Sequence, residues 1–120
     1  VPEDVVGVAA DAGLWLIPPE EGLHFFRGAI RAHLMDGRTL VDGRNLPDPS
    51  TWGVQGEPIA TISAVGRSVV TDPEIQSRAL QAVRSLVPDV EYWAHGDTWT
   101  VLVPREMAGS VEAAVHHALC

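Results

Sequence analysis

The chain has 120 residues, of which 46% are hydrophobic, and its 16 acidic and 8 basic side chains give a net charge of −8. This length suits one compact domain, or two very small ones sharing a core. Phosphate backbones repel such an acidic surface, so we expect no nucleic-acid partner. No apolar run approaches the ~20 residues that span a bilayer, so we expect no membrane role. All eight basic residues are arginine, which excludes Schiff-base chemistry and lysine-dependent phosphate sites.

Cysteine and histidine usage argues against a metal site. The one cysteine is Cys120, and a single thiol excludes an internal disulfide or a multi-cysteine zinc site. Its isolation suits a reducing compartment, so we expect a cytoplasmic protein. On helices, His24 and His33 would lie on opposite faces, and the adjacent His116 and His117 would diverge by about 100°. Neither pair chelates alone, and we predict no metal.

The N-terminal segment predicts two strands followed by a helix. The strands are Val5–Asp11 and Leu14–Ile17, with a break at Ala12–Gly13. Pro18–Pro19 ends the second strand, because proline cannot donate to a ladder. A helix is predicted from residue 20 to about residues 36–37. Its start is acidic, which suits the helix dipole, and apolar residues recur at helical spacing: Leu23, Phe26, Ile30 and Leu34.

A brief strand and a long loop complete the first half. The strand is Thr39–Val41, and residues 42–58 hold three prolines and three glycines without periodicity. A loop of that length is often functional.

The second half begins with a predicted buried strand, Ile59–Val65, and a helix. Thr71 is predicted to cap this helix, because Glu74 follows three residues later and Pro73 occupies the first turn. Its apolar face is expected to contain Ile75, Ala79, Val83 and Leu86.

A hairpin and a last helix follow. Val90–Ala94 and Trp99–Val103 predict strands joined by a two-residue turn at Gly96–Asp97. That turn places Trp93 and Trp99 on opposite faces. The order β-α-β-β-α lacks one strand of a ferredoxin-like unit, and an N-terminal strand can supply it. The core stripe of the last helix is expected to contain Met107, Val111, Ala114 or Val115, and Ala118, with Leu119 at its edge.

Several short motifs, taken in order, carry a family resemblance. Residues 6–11 read Val-Gly-Val-Ala-Ala-Asp, and residues 40–42 read Leu-Val-Asp. Ala-Val-Gly at 64–66 precedes Asp-Pro-Glu-Ile at 72–75, and Val-Leu-Val precedes a helix with Val-Glu-Ala-Ala-Val-His at 111–116. Together they resemble the tandem ACT regulatory region of aspartate kinases. In this comparison residues 40–42 correspond to the strand after the first ACT helix.

The resemblance implies an α+β, ferredoxin-like (ACT-like) βαββαβ fold with helices on one face of the sheet. It divides the chain into a partial ACT-like unit (1–46), a Pro/Gly-rich loop (47–58) and an ACT-like unit (59–120). The first unit is expected to be truncated, because residues 42–57 are too few for the strand, helix and strand that the family carries there. The sequence has no glycine-rich phosphate loop and no lysine, so we expect no kinase activity.

The resemblance places an effector-binding loop between Ile17 and the first helix. Backbone N–H groups at a helix start can take a ligand carboxylate, and acidic side chains can take its ammonium. Here Pro19 stands where the family has Asp, and Glu21 where it has Pro. Trp52, in the long loop, is a candidate lid. We expect ligand contacts from Pro19, Glu20, Glu21, Gly22, Asp42, Asn45 and Trp52.

Two functions remain open at this stage. The first is a cofactor-free amino-acid-binding or regulatory protein, a homodimer by the resemblance, that can serve as the regulatory subunit of a separate enzyme. The second is a repurposed ACT-like fold that acts as a cofactor-free isomerase or cyclase. Its acid–base groups would come from Glu20, Glu21, His24 or Asp42. A purely structural subunit, with no pocket, is a third reading.

Overall fold

The computed structural model describes residues 7–19, 30–43, 51, 53 and 55–119, with the backbone alone at 30–33. Six antiparallel strands form one sheet in the order β2-β3-β1-β4-β6-β5. The strands are β1 (Gly7–Ile17), β2 (Ile30–His33), β3 (Thr39–Asp42), β4 (Glu57–Val65), β5 (Glu91–His95) and β6 (Thr98–Pro104). The helices are α1 (Arg67–Thr71), α2 (Pro73–Arg84) and α3 (Ala108–Leu119), the last preceded by a 3₁₀ turn, Arg105–Met107. This confirms the predicted α+β class.

The two predicted N-terminal strands are one strand, β1. The expected break is a bulge, where the pairing with β4 shifts register between Asp11 and Leu14 and Gly13 adopts a φ of 85°. The strand continues through the bulge because both of its halves pair with β4. Residues 7–11 thereby fill the strand position missing from the second half, and Leu14–Ile17 also pairs with β3. The division at residues 46 and 58 stays a prediction.

The helix prediction is wrong at its C-terminal end. Ile30–His33 is strand β2, which pairs with β3. The backbone N–H of Leu34 donates to the Arg38 carbonyl (2.8 Å), and Gly37 closes the turn with a φ of 86°. Cross-strand pairing here overrides the helical spacing of Ile30 and Leu34. Residues 20–29, the start of that predicted helix, lie outside the described residues. β3 therefore follows a strand, not the helix expected before residues 40–42.

The start of α2 also differs from the prediction. Asp72, not Thr71, caps it: the Asp72 carboxylate accepts from the backbone N–H of Glu74 (3.0 Å), with Pro73 at the first helical position. Thr71 instead ends the short helix α1, and its hydroxyl donates to the Arg67 carbonyl (2.9 Å). Helix α1 is not among the elements predicted from the sequence. Of the predicted apolar face, Ala79 and Val83 are buried, Ile75 is half-buried and Leu86 is exposed.

The predicted hairpin is confirmed as β5 and β6. Trp93 pairs with Thr100, so Trp93 and the adjacent Trp99 lie on opposite faces. Of the predicted stripe of α3, Val111 and Val115 are buried, whereas Met107, which lies in the 3₁₀ turn before the helix, is half-buried. Leu119 is fully buried within the stripe, and Ala114 and Ala118 are only half-buried. The buried positions are Ala108, Val111, Val115 and Leu119.

Both faces of the sheet bury apolar side chains. On the helix side, Trp99, Val101 and Val103 of β6 pack with α2 and α3 in the largest cluster. The opposite face holds a second cluster: Leu14, Leu16, Leu40, Ile59 and Leu102, with Leu34 and Trp93 packed against it. The sheet curls around this inner cluster, so the β2–β3 turn meets β5, where Arg38 forms an ion pair with Glu91. No helix in the described part is long and apolar enough to cross a membrane.

We predict that Asp72→Ala lowers the free energy of unfolding by about 1 kcal/mol, because one N–H at the start of α2 loses its acceptor. Thr71→Ala is the matched control and should change stability by less than about 0.5 kcal/mol. Urea denaturation measures both. A larger loss for Thr71→Ala would contradict the observed cap.

Candidate functional site

The structure separates the two predicted site residues that it describes. Pro19 lies against the β2–β3 turn, where its side-chain carbons would be 3.4 Å from a Cβ placed on Gly37. Asp42 ends β3 and pairs with Leu14 beside the β1 bulge. Strand β3 separates them, and its four residues span about 10 Å at ~3.3 Å per residue. The other predicted residues are outside the described part of the chain: Glu20, Glu21, Gly22, His24, Asn45 and Trp52.

The Asp42 end is a packed junction. The backbone N–H of Gly43 donates to the Gly13 carbonyl (2.9 Å), and the indole of Trp15 lies directly against Gly43. The Arg105 guanidinium stands 4.7 Å from the centroid of Trp15. Its Nη2 donates to the Leu14 carbonyl (2.7 Å). This stack ties the end of β6 to the β1 bulge, which gives these residues a structural role.

The Pro19 end contains a cavity of about 290 Å³, here called the β1-end cavity. The polar side chains in its wall include the guanidinium of Arg38 and the carboxylate of Glu57. The cavity therefore offers one positive and one negative group to a small ligand. The wall comprises Leu16, Pro18, Arg38, Gln55, Gly56 and Glu57.

A smaller inner cavity of about 140 Å³ adjoins it. The two cavities share Leu16, Arg38 and Glu57. The inner cavity adds the carboxylates Asp89 and Glu91. Its apolar wall comes from the inner cluster, the end of β6 and the loop after α2: Ile59, Leu102, Pro104 and Val87.

Arg38 is the cation around which these carboxylates gather. Its Nε contacts Asp36, and its Nη2 contacts Glu91. Desolvation raises the pKa of Asp36, but the hydrogen bonds and charge of Arg38 outweigh it and hold that pKa below the ordinary 3.8. A lowered pKa means that this interaction stabilises the fold above pH 3.8 and is lost as the pH falls through the folded-state value.

Neither Arg38 nor Glu57 is among the ligand contacts predicted from the sequence. Arg38 stood just beyond a predicted helix, and Glu57 beside a predicted strand. One signal was available: Asp36–Gly37 between two short apolar runs is typical of a hairpin turn. Among the described residues, no three His, Cys, Asp or Glu side chains are placed to hold a metal ion.

Comparison with solved structures identifies the fold. The ligand-free regulatory subunit of aspartate kinase from Thermus thermophilus is 23% identical, with a TM-score of 0.66 over 97% of this chain and 98% of that one. The chain has the fold of an aspartate kinase regulatory region. The regulatory subunit from Thermus flavus is 22% identical, with a TM-score of 0.62 over 98% of this chain and 100% of that one.

The same fold occurs as part of a longer kinase chain. The aspartate kinase of Clostridium acetobutylicum is 11% identical, with a TM-score of 0.70 over 99% of this chain but 35% of that one. No protein-family model and no curated protein sequence matches the chain. The similarity to these three solved structures confirms the ACT-like fold that the short motifs indicated.

We predict that Gly43→Ala destabilises the protein by about 1–3 kcal/mol, because its Cβ would overlap the Trp15 indole and lie 2.9 Å from the Gly13 carbonyl. Gly109→Ala in α3, where nothing lies within 4 Å of the added carbon, should be neutral or slightly stabilising. Chemical denaturation of both variants checks this. Equal stabilities would mean that Trp15 moves freely.

Proposed function

We propose that this protein is an ACT-like regulatory protein that binds a free amino acid at the β1-end cavity and regulates a separate enzyme as its subunit. The observation that carries the proposal is the reciprocal match with the Thermus thermophilus regulatory subunit, 97% of one chain over 98% of the other. By its description that protein is a regulatory subunit of aspartate kinase, and the Clostridium aspartate kinase has the same fold within a longer chain.

The β1-end cavity suits an amino acid in size and charge. Its volume of about 290 Å³ lies just below the ~300–1,000 Å³ range of ligand pockets, which suits a ligand as small as an amino acid. Arg38 is placed to take the ligand carboxylate, and Glu57 the ammonium. A guanidinium has five N–H donors, so Arg38 can donate to a ligand carboxylate while keeping its contacts with Asp36 and Glu91. The predicted contacts of residues 19–22 would complete the site.

The inner cavity favours a cationic side chain. Three carboxylates, Glu57, Asp89 and Glu91, face a single guanidinium there, so the local balance is negative. The apolar residues Ile59 and Leu102 in the same wall suit an aliphatic stem. Among the aspartate-derived amino acids, lysine combines these properties, and we propose it over threonine and methionine.

The sheet order supports the predicted homodimer. β2 and β5 stand at the two ends of the sheet, each paired on one side within the described residues. Unpaired strand edges are commonly covered by another chain, and closed two-fold pairing is the usual arrangement.

A thermal-shift panel of lysine, threonine and methionine tests the proposed ligand. A one-site ligand at ~100 times its Kd adds about 2.7 kcal/mol of stability, and we expect lysine to give the largest shift. Glu57→Gln should weaken lysine binding about 10-fold, because a charged hydrogen bond is lost. Asp97→Asn, at the exposed β5–β6 turn, is the charge-matched control and should bind as the wild type does.

Two outcomes would count against the proposal. No shift with any amino acid at millimolar concentration would overturn the amino-acid site. It would favour the alternative enzyme, with Glu20, Glu21, His24 or Asp42 as acid–base groups, or a structural subunit. A lysine shift that Glu57→Gln leaves unchanged would place the ligand elsewhere.

A further inference from the structure

A third and larger cavity, of about 630 Å³, lies between the β2–β3 turn and strand β5. We call it the seam cavity, because its two walls come from opposite ends of the sheet. Residues 34–36 form the turn side, and residues 90–93 with His95 form the strand side. Its volume falls within the ~300–1,000 Å³ range of small-molecule sites.

The seam cavity is lined mainly by apolar and aromatic side chains. Met35 is fully exposed at its edge (108%), and Tyr92 is 43% exposed. Leu34 and Trp93 are half-buried, since both also pack against the inner cluster. Exposed apolar residues gathered in one concavity mark an interaction site more often than scattered ones do. This wall fits an aromatic ring or a bulky apolar body.

The charges at the seam cavity favour a cation. Asp36 and Glu91 line it, and both carboxylates pair with the single guanidinium of Arg38, so the three groups together keep a net charge of −1. Among the described lining residues, His95 has the one side chain able to carry a positive charge. The aromatic ring of Trp93, which packs against the inner cluster, can also attract a cation. A ligand carboxylate would meet this net negative charge and be disfavoured.

We propose that the seam cavity is a second ligand site, which binds an organic amine with an aromatic or bulky apolar body and no carboxylate. Such a ligand contacts the β2–β3 turn and β5 together, so it holds the two ends of the curled sheet in place. This site does not depend on the proposed amino-acid site. Among the described residues, the seam cavity has no lining residue in common with the β1-end cavity and shares only Glu91 with the inner cavity, and the two ligands differ by the carboxylate.

Three ligands with the same ring test the charge preference: 2-phenylethylamine, 3-phenylpropionate and phenylalanine. Each is titrated into the full ¹⁵N-labelled chain, with the four indole resonances assigned by Trp→Phe variants. We expect the amine to shift the Trp93 indole and the Tyr92 amide in a saturable way. The anion should leave both unchanged, and the zwitterion should bind at least about 5-fold more weakly than the amine, as for one lost ion pair.

Variants separate the two cavities. Tyr92→Ser and Met35→Ala alter exposed positions, so the fold should survive, and each should weaken the amine about 3–10-fold by removing apolar contact. Glu57→Gln lines only the other cavities and should leave amine binding unchanged. If lysine fails to bind while the amine still behaves in this way, the proposed function falls and the seam site stands.

Other results overturn the seam site. Equal binding of 3-phenylpropionate would remove the charge argument. Shifts at other tryptophans, or no effect of Tyr92→Ser and Met35→Ala, would place the amine elsewhere. Shifts of Trp93 and Tyr92 that follow protein concentration without ligand would show that a second copy of the chain covers the cavity.

Discussion

The contact between Arg38 and Glu91 closes the curl of the sheet, and the interior depends on that closure. Arg38 follows the β2–β3 turn at one end of the sheet, and Glu91 begins β5 at the other. Because these ends meet, Leu14, Leu16 and Leu102 are buried on a face that α2 and α3 do not cover. Within the described residues, no helix packs on this face, and the curl brings the β2–β3 turn and β5 together beside these leucines.

The same closure concentrates charge. One guanidinium stands among Asp36, Glu57, Asp89 and Glu91 in a protein whose net charge is −8. Exposed ion pairs contribute little to stability on their own, about 0–1 kcal/mol. Here the ion pairs instead fix a position, because they hold the Arg38 guanidinium beside the β1-end cavity, the inner cavity and the seam cavity. The excess of negative charge around Arg38 is the reason that a cationic group is proposed for the inner cavity and for the seam cavity.

Much of the second half could be predicted from sequence, because its signals are local and agree with one another. Gly96–Asp97 marks the hairpin, and residues 71–74 place the start of α2 within one residue. The predictions for the first half are wrong where the local helical pattern conflicts with long-range strand pairing. Ile30 and Leu34 have helical spacing, yet Ile30 pairs with Val41 in a strand. The β1-end cavity could not be predicted for a similar reason: Arg38 and Glu57 are 19 positions apart in the sequence, and the curled sheet brings them to one cavity.

Strand β1 has a consequence for how the protein unfolds. Its first half pairs with the end of β4, and its second half pairs with both β3 and the start of β4. Strands from both halves of the chain therefore pair with β1. Residues 59–120 alone would leave the ladder edge of β4 uncovered and prone to pairing with other chains. The protein should therefore lose both halves in a single cooperative transition.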